Sequence, residues 1–249
     1  MQITAFISGK GGVGKTTLTA NIAIALAQHG KKVLVIDLDP QNALGIHLGM
    51  DQDEYAGHSR DGLNEGSMFR SPFGVTFVPF GLLPEHELRL FETELRTHPY
   101  WLRQALSQLP EDSFDFVLLD TPPGPGVFLH QALMAAHDAL VVILADAASF
   151  STVPAILSLI KEYTKERKHF RAANLLLNQL PHRGQLGQQV RDTLMENYGT
   201  MMLPIAVHRD SMVAESLAYE RPVLQYDPGC EASLEMHHIA EWLINRCSP

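Results

Sequence analysis

"ISGKGGVGKTT", residues 7–17, ends one short apolar run and opens a stretch with helical spacing. Inside it, "GKGGVGKT" (9–16) satisfies G-x-x-x-x-G-K-[ST] and stands between a predicted strand and a predicted helix, the setting in which that pattern cradles phosphate. Gly11, Gly12 and Gly14 let the backbone wrap closely around an anion, with Val13 between them. The amides of the following helix attract negative charge, Lys15 reaches the terminal phosphates, and the Thr16 hydroxyl, followed by Thr17, is placed to bind Mg²⁺. A second lysine, Lys10, stands just ahead of the glycines, where a simple phosphate loop does not need one.

Outward from this loop the chain repeats one theme. Apolar runs end at polar or charged residues in "ITAFIS" (3–8), "VLVID" (33–37), "FDFVLLD" (114–120), "ALVVILAD" (139–146), "NLLLN" (174–178) and "MMLPIAV" (201–207). They do not alternate apolar with polar, so each reads as a strand buried on both faces. Helical spacing lies between them: Leu18, Ile22, Ala25 and Leu26 share a face that Gly30 ends, and Met236, Ile239, Trp242 and Leu243 repeat it at the C-terminus. Strand and helix in alternation predict an α/β fold, a mostly parallel central sheet with helices on both faces. Residues 51–72, mixing glycine and charge with few aliphatics, read as a mobile excursion from that sheet, and residues 1–249 as a single domain.

Composition narrows the function. The hydrophobic fraction of 45% and charged fraction of 19% are those of a globular protein, and the net charge of −9 disfavours a surface built for nucleic acid. The two cysteines, Cys230 and Cys247, form no CxxC pair, and the start has no signal-peptide pattern, which together predict a cytoplasmic protein. No apolar run has the length of a membrane span, so direct membrane insertion is not expected. The twelve histidines show no metal-binding spacing and read as ordinary surface or core residues.

Acid for a metal is available at two strand ends. Asp120 closes "FVLLD", where its carboxylate emerges beside the phosphate loop, and "DTPPG" (120–124) after it suits a plain turn or a segment that senses the terminal phosphate. In "DLDPQ" (37–41), Asp37 and Asp39 are two apart, so both carboxylates can face the same edge, or simply cap a turn before Pro40.

The loop with its extra lysine, "VLVIDLDPQ" (33–41) and "FVLLDTPPG" (116–124), in this order, resemble the deviant Walker A ATPases of the ParA/MinD type over nearly the whole chain. That resemblance implies ATP and Mg²⁺ as ligands and a slow, partner-dependent ATP hydrolysis. It makes Lys10 the signature lysine that reaches a partner's ATP across an ATP-dependent homodimer, Lys15 the phosphate-loop lysine, Thr16 the Mg²⁺ ligand and Asp120 the Walker B acid. Asp39 becomes the residue that aligns the attacking water and joins Thr16 and Asp120 as the metal-site residues, and Asn178 and Arg209 fall on the adenine side. Further local likeness in "FVPFG" (77–81) and "LPIAVHRDSMVAESLAYERPV" (203–223) is similar to the BcsQ branch, MinD-like ATPases of bacterial cellulose-secretion operons. Its implied partners are proteins of an inner-membrane cellulose synthase complex, with recruitment to the inner membrane or a cell pole through them.

Two other roles are compatible with the same motifs. A ParA-like ATPase positioning DNA or another cargo would need the basic run "KEYTKERKHFR" (161–171), which two glutamates interrupt and which reads better as a solvated helix face. A structural adaptor held together by ATP with little turnover would need only the loop.

Overall fold

The computed structural model describes residues 1–50 and 56–247. Strand β1 (Gln2–Ile7) runs into the glycine loop and helix α1 (Lys15–Gln28), then β2 (Val33–Asp37) and a short α2 (Leu44–His47). The chain continues through α3 (His58–Asp61), β3 (Phe69–Arg70), β4 (Thr76–Val78), α4 (Glu85–Thr97) and α5 (Trp101–Ser107). Next come β5 (Phe116–Asp120), α6 (Val127–Ala135), β6 (Asp138–Leu144), α7 (Ala147–Thr164) and β7 (Ala172–Asn178). The C-terminal part is helical: α8 (Gln185–Tyr198), α9 (Ser211–Ala218), α10 (Val223–Tyr226) and α11 (Glu231–Cys247).

Among the described residues the strands form one sheet in the order β3-β4-β2-β5-β1-β6-β7, with every pairing parallel except β3 with β4. Successive side chains of a strand point to opposite faces. Ala5 and Ile7 therefore enter one core with α4 to α8, whereas Phe6 between them enters the other with α1, α10 and α11. Both faces need apolar residues, which is why the strand sequences are continuous hydrophobic runs. Helix α1 shows the same pressure. Lying between the sheet and α11, it buries Leu18, Ile22, Ala25 and Leu26 as expected, but also Ala20, Ala23 and Ile24, so its apolar surface is wider than one face.

Two expectations are corrected. "MMLPIAV" is not a strand of the sheet: Met201 ends a 3₁₀ turn, and residues 202–208 follow β7 only through isolated parallel bridges, Leu175 to Met202 and Leu180 to His208. Leu203 N–H bonds the Leu175 carbonyl and Val207 N–H the Leu177 carbonyl, so the segment uses four residues where β7 uses two and the pairing is not continuous. The excursion over 51–72 is only partly as expected. Residues 51–55 lie outside the described residues, but 56–72 contain α3 and β3, and His58 is buried with backbone bonds from His58 and Ser59 to the carbonyls of Pro79 and Phe80. A few well-placed contacts order a segment whose composition suggests mobility.

Central β1, flanked by β5 and β6, gathers the sheet's loops at one edge. The glycine loop, Asp37, Asp120, Asp146 and Asn178 all follow or close strands there, at the carboxyl end where parallel sheets bind ligands.

Candidate functional site

The loop after β1 requires glycine at two positions for different reasons. Gly12 and Gly14 both have left-handed backbones, with φ of 73° and 84°. A Cβ on Gly14 would also lie 2.5 Å from Asn178 Nδ2, whereas one on Gly12 would meet nothing within 4 Å, so that side of the loop is open. Helix α1 begins directly after Gly14 with no side-chain cap and no acidic residue in its first turn. Its first amides therefore face the loop with their partial positive charge unscreened by protein. Helices α7 and α9, by contrast, are capped by Asp146 and Asp210.

Beneath the loop sits a buried charge cluster. Lys15 is 7% exposed, its Nζ 3.7 Å from Asp120 Oδ1. The Thr16 hydroxyl donates to Asp120 Oδ2 at 2.6 Å, and the Thr19 hydroxyl reaches Oδ1 at 3.3 Å. Burial raises the Asp120 carboxyl above the usual range, and the Lys15 ammonium and Thr16 hydroxyl oppose that rise. Asp37, its register neighbour on β2, is also fully buried, and burial followed by the Asp120 charge pushes it well above the carboxylate range. Asp120 thus stands between a buried ammonium, Lys15, and a second buried carboxyl, Asp37. The Thr16 and Asp120 oxygens beside them are hard donors of the kind that hold Mg²⁺, so the residues fit that ion by charge and by chemistry.

Asp37 and Asp39 do not share a role, although their spacing allows it. Asp37 turns inward and accepts the backbone N–H groups of Asp39 at 2.9 Å and Leu44 at 3.0 Å, which fixes the loop after β2. Asp39 is partly exposed, and among the described residues its Oδ1 accepts the Gln41 amide at 3.0 Å. His58 Nε2 lies 2.7 Å from the Asp37 carbonyl and supports the same turn from behind.

Lys10 points away from the cluster and pairs with Asp146 at the start of α7. Val13 is buried, and its carbonyl accepts from Asn178 Nδ2 at 2.7 Å. A cavity of about 610 Å³ opens beside the loop, lined by Gly14, Thr17, Asn178, His208 and Arg209 among others. Arg209 is exposed and held by its backbone N–H on the Leu180 carbonyl. The structure therefore brings Lys15, Thr16 and Asp120 into direct contact, sets Asp39 at the same edge, and puts Asn178 and Arg209 around the adjoining cavity. Asp146 was missed by sequence reasoning, although it closes a buried strand's loop as Asp120 does.

A phosphate-binding loop at the carboxyl edge of a parallel sheet, with a strand-end acid against the loop lysine and threonine, defines a P-loop nucleotide-binding protein. The family model for "Cellulose biosynthesis protein BcsQ" matches residues 1–244, and the chain belongs to that family, within the ParA/MinD group. The chromosome-partitioning ATPase Soj of Thermus thermophilus is 30% identical over 97% of this chain and 95% of its own. The partitioning protein ParA of Caulobacter vibrioides is 28% identical over 99% of this chain and 95% of its own. Among solved structures, cobyrinic acid a,c-diamide synthase from Mycobacterium smegmatis, crystallised with an ATP analogue and magnesium, superposes with TM-score 0.81 at 25% identity, covering 99% and 95% of the two chains. The cell-division ATPase MinD of Pyrococcus furiosus shares the fold with TM-score 0.79 at 24% identity and 99% coverage of both chains.

Proposed function

We propose that residues 1–249 form a single ATPase domain that binds ATP with Mg²⁺, dimerises through the nucleotide and hydrolyses it slowly to ADP and phosphate, in the service of a bacterial cellulose-secretion complex. The contact of Lys15 and Thr16 with Asp120 below the uncapped start of α1 carries this reading. Lys15 and the loop amides of residues 11–16 hold the phosphates, and Thr17, Asn178 and Arg209 border the space for the base. Mg²⁺, when bound, offsets phosphate charge and aligns the terminal phosphate. Thr16 and Asp120 would hold it, with Asp39 near by, and the Asp39 carboxylate would orient the attacking water. Lys10 leaves Asp146 to reach the partner subunit's triphosphate, so ATP joins the two subunits and its hydrolysis releases them.

Membership of the BcsQ family supports the cellulose assignment. Among the described residues no helix is long and apolar enough to cross a membrane, which suits a protein of the cytoplasm that docks on membrane-bound partners. A second reading, positioning of DNA or another cargo, is supported by the partitioning ATPases among the relatives. The basic run at 161–171 favours it less, because Arg167 donates to the carbonyls of Leu133 and Ala136 and Arg171 pairs with the buried Asp138.

The deciding experiment captures the Asp39→Ala protein with ATP in its own cell extract. ATP-dependent retention of cellulose synthase subunits supports the first reading. Retention of none of them, with ATP-dependent and salt-sensitive DNA binding by the purified protein, replaces it with the second.

A further inference from the structure

At His208, one of the residues lining the cavity, three residues with no common sequence motif converge. His182 lies in the loop after β7, His208 in the segment after the 3₁₀ turn, and Glu231 opens α11. The parallel bridge of Leu180 with His208, held by Leu180 N–H on Val207 O and Arg209 N–H on Leu180 O, brings the first two segments together. The imidazole rings stack, with centroids 4.8 Å apart and planes at 9°. His182 Nε2 lies 2.9 Å from Glu231 Oε2, and His208 Nδ1 lies 3.6 Å from Glu231 Oε1. A ring nitrogen from each histidine and a Glu231 oxygen all lie within 4.8 Å of one another.

From this geometry we infer a binding site for a divalent transition-metal ion of the Zn²⁺ class, held by His182, His208 and Glu231. Ligands about 2.0–2.2 Å from a tetrahedral ion are roughly 3.4 Å apart, so the His182–Glu231 separation already suits one, and the stacked rings must rotate to aim one nitrogen each at a common ion. Two imidazoles and a carboxylate select a borderline ion over Mg²⁺ or Ca²⁺, which prefer all-oxygen sets. Glu235 supplies the supporting contact that such sites use. Its Oε1 is 2.5 Å from His208 Nδ1 and its Oε2 accepts the His208 backbone N–H at 2.7 Å, which holds Nδ1 and leaves Nε2 as the His208 nitrogen for an ion. His182 is 53% and Glu231 46% exposed, so an ion can enter from solvent and a water can complete its coordination. An ion there would tie three separate segments together. The site shares no residue with the Lys15, Thr16 and Asp120 cluster.

The test uses the tag-free full chain, stripped of metal and kept free of nucleotide, titrated with Zn²⁺ against a chromophoric chelator in the presence of Mg²⁺. One Zn²⁺ per chain is expected, weakened at least about tenfold in His182→Ala and in His208→Ala. Zn²⁺ in hundredfold excess over its dissociation constant should raise the melting temperature by roughly 5–10 °C in the wild type and not in His182→Ala. Co²⁺ in place of Zn²⁺ should give the visible absorption of a tetrahedral site. Because His182 is half-exposed, its variant should fold normally, as circular dichroism would verify. No stoichiometric Zn²⁺ in the wild type, or equal binding by folded His182→Ala, overturns the site and leaves the cluster as a set of surface ion pairs.

Discussion

Lys10 Nζ lies 3.4 Å from Asp146 Oδ2, so the lysine ahead of the glycines is engaged within its own subunit by the residue that caps α7. The side chains are 40% and 38% exposed, and a pair this open contributes at most about 1 kcal/mol. The contact holds Lys10 aside without locking it. Asp146 remains acidic below the usual carboxylate range, mainly because its carboxylate accepts the Ser149 N–H.

Asp146→Asn keeps a capping oxygen and removes the charge. If Lys10 acts across a dimer, this variant should dimerise with ATP up to about fivefold more tightly per lysine released. Lys10→Ala should bind ATP with near-normal affinity and show no ATP-driven dimer by light scattering. Dimers of equal strength in wild type, Lys10→Ala and Asp146→Asn, with either ATP or ADP, would leave Lys10 as a solvated neighbour of the loop.

Lys15→Ala should abolish ATP binding in calorimetry, and it should also destabilise the protein without nucleotide. The ammonium is buried against Asp120, and removing one member of a buried pair costs about 3 kcal/mol. Without Lys15 the Asp120 carboxyl rises further, so it can escape the cost by taking up a proton at low pH. The deficit relative to wild type should therefore grow as pH rises. Adding Asp120→Asn should recover most of the lost stability in urea unfolding while ATP binding stays absent; a double variant as unstable as Lys15→Ala would mean that the buried charge is not the cause.

The sequence made the sheet and its phosphate edge readable because each strand is buried on both faces and ends at a polar residue. Five of the six quoted apolar runs are strands. The exception, "MMLPIAV", has strand composition, but the 3₁₀ turn at its start and the bulge between Leu203 and Val207 keep it beside β7 rather than in the sheet. Strands β3 and β4 went unread because two and three residues carry no usable period. The inward turn of Asp37 was also hidden, since alternation places both acids on one side only while the chain stays extended, and it bends after Asp37. Spatial neighbours distant in sequence, such as His182 with His208, leave no spacing signal at all.

Asp37 and Asp39 should separate cleanly on mutation. Asp39→Ala removes one exposed turn bond, so thermal unfolding should change by under about 1 kcal/mol and ATP affinity should hold, while turnover falls at least tenfold. Asp37→Ala strands the buried amide of Leu44 and the part-buried amide of Asp39 and should cost about 2–3 kcal/mol. Parental turnover in Asp39→Ala would make it a turn residue only.

The last expectation concerns pH and the buttress behind that turn. His58 is fully buried against Phe80, Phe91 and Trp101, and burial drives its pKa down from 6.5 to about 4. Between these values the unfolded chain binds a proton at His58 that the folded chain does not, so its contribution is present above pH 6.5 and is lost as pH falls towards 4. His47 and His137, also lowered to about 4, act in the same direction. Asp37 and Asp120 act oppositely, because their raised values favour the folded state at low pH, so the whole-protein profile mixes both signs. A difference measurement isolates His58. His58→Gln keeps an N–H for the Asp37 carbonyl but cannot titrate, and its stability relative to wild type should improve by about 1.4 kcal/mol for each pH unit lowered between 6.5 and 4. Urea unfolding of both proteins at pH 7, 5.5 and 4.5 reads this directly. A gap that stays constant across the three would show that His58 takes up its proton in the folded protein as readily as in the unfolded one, and that the loop carrying Asp39 is open to water from behind.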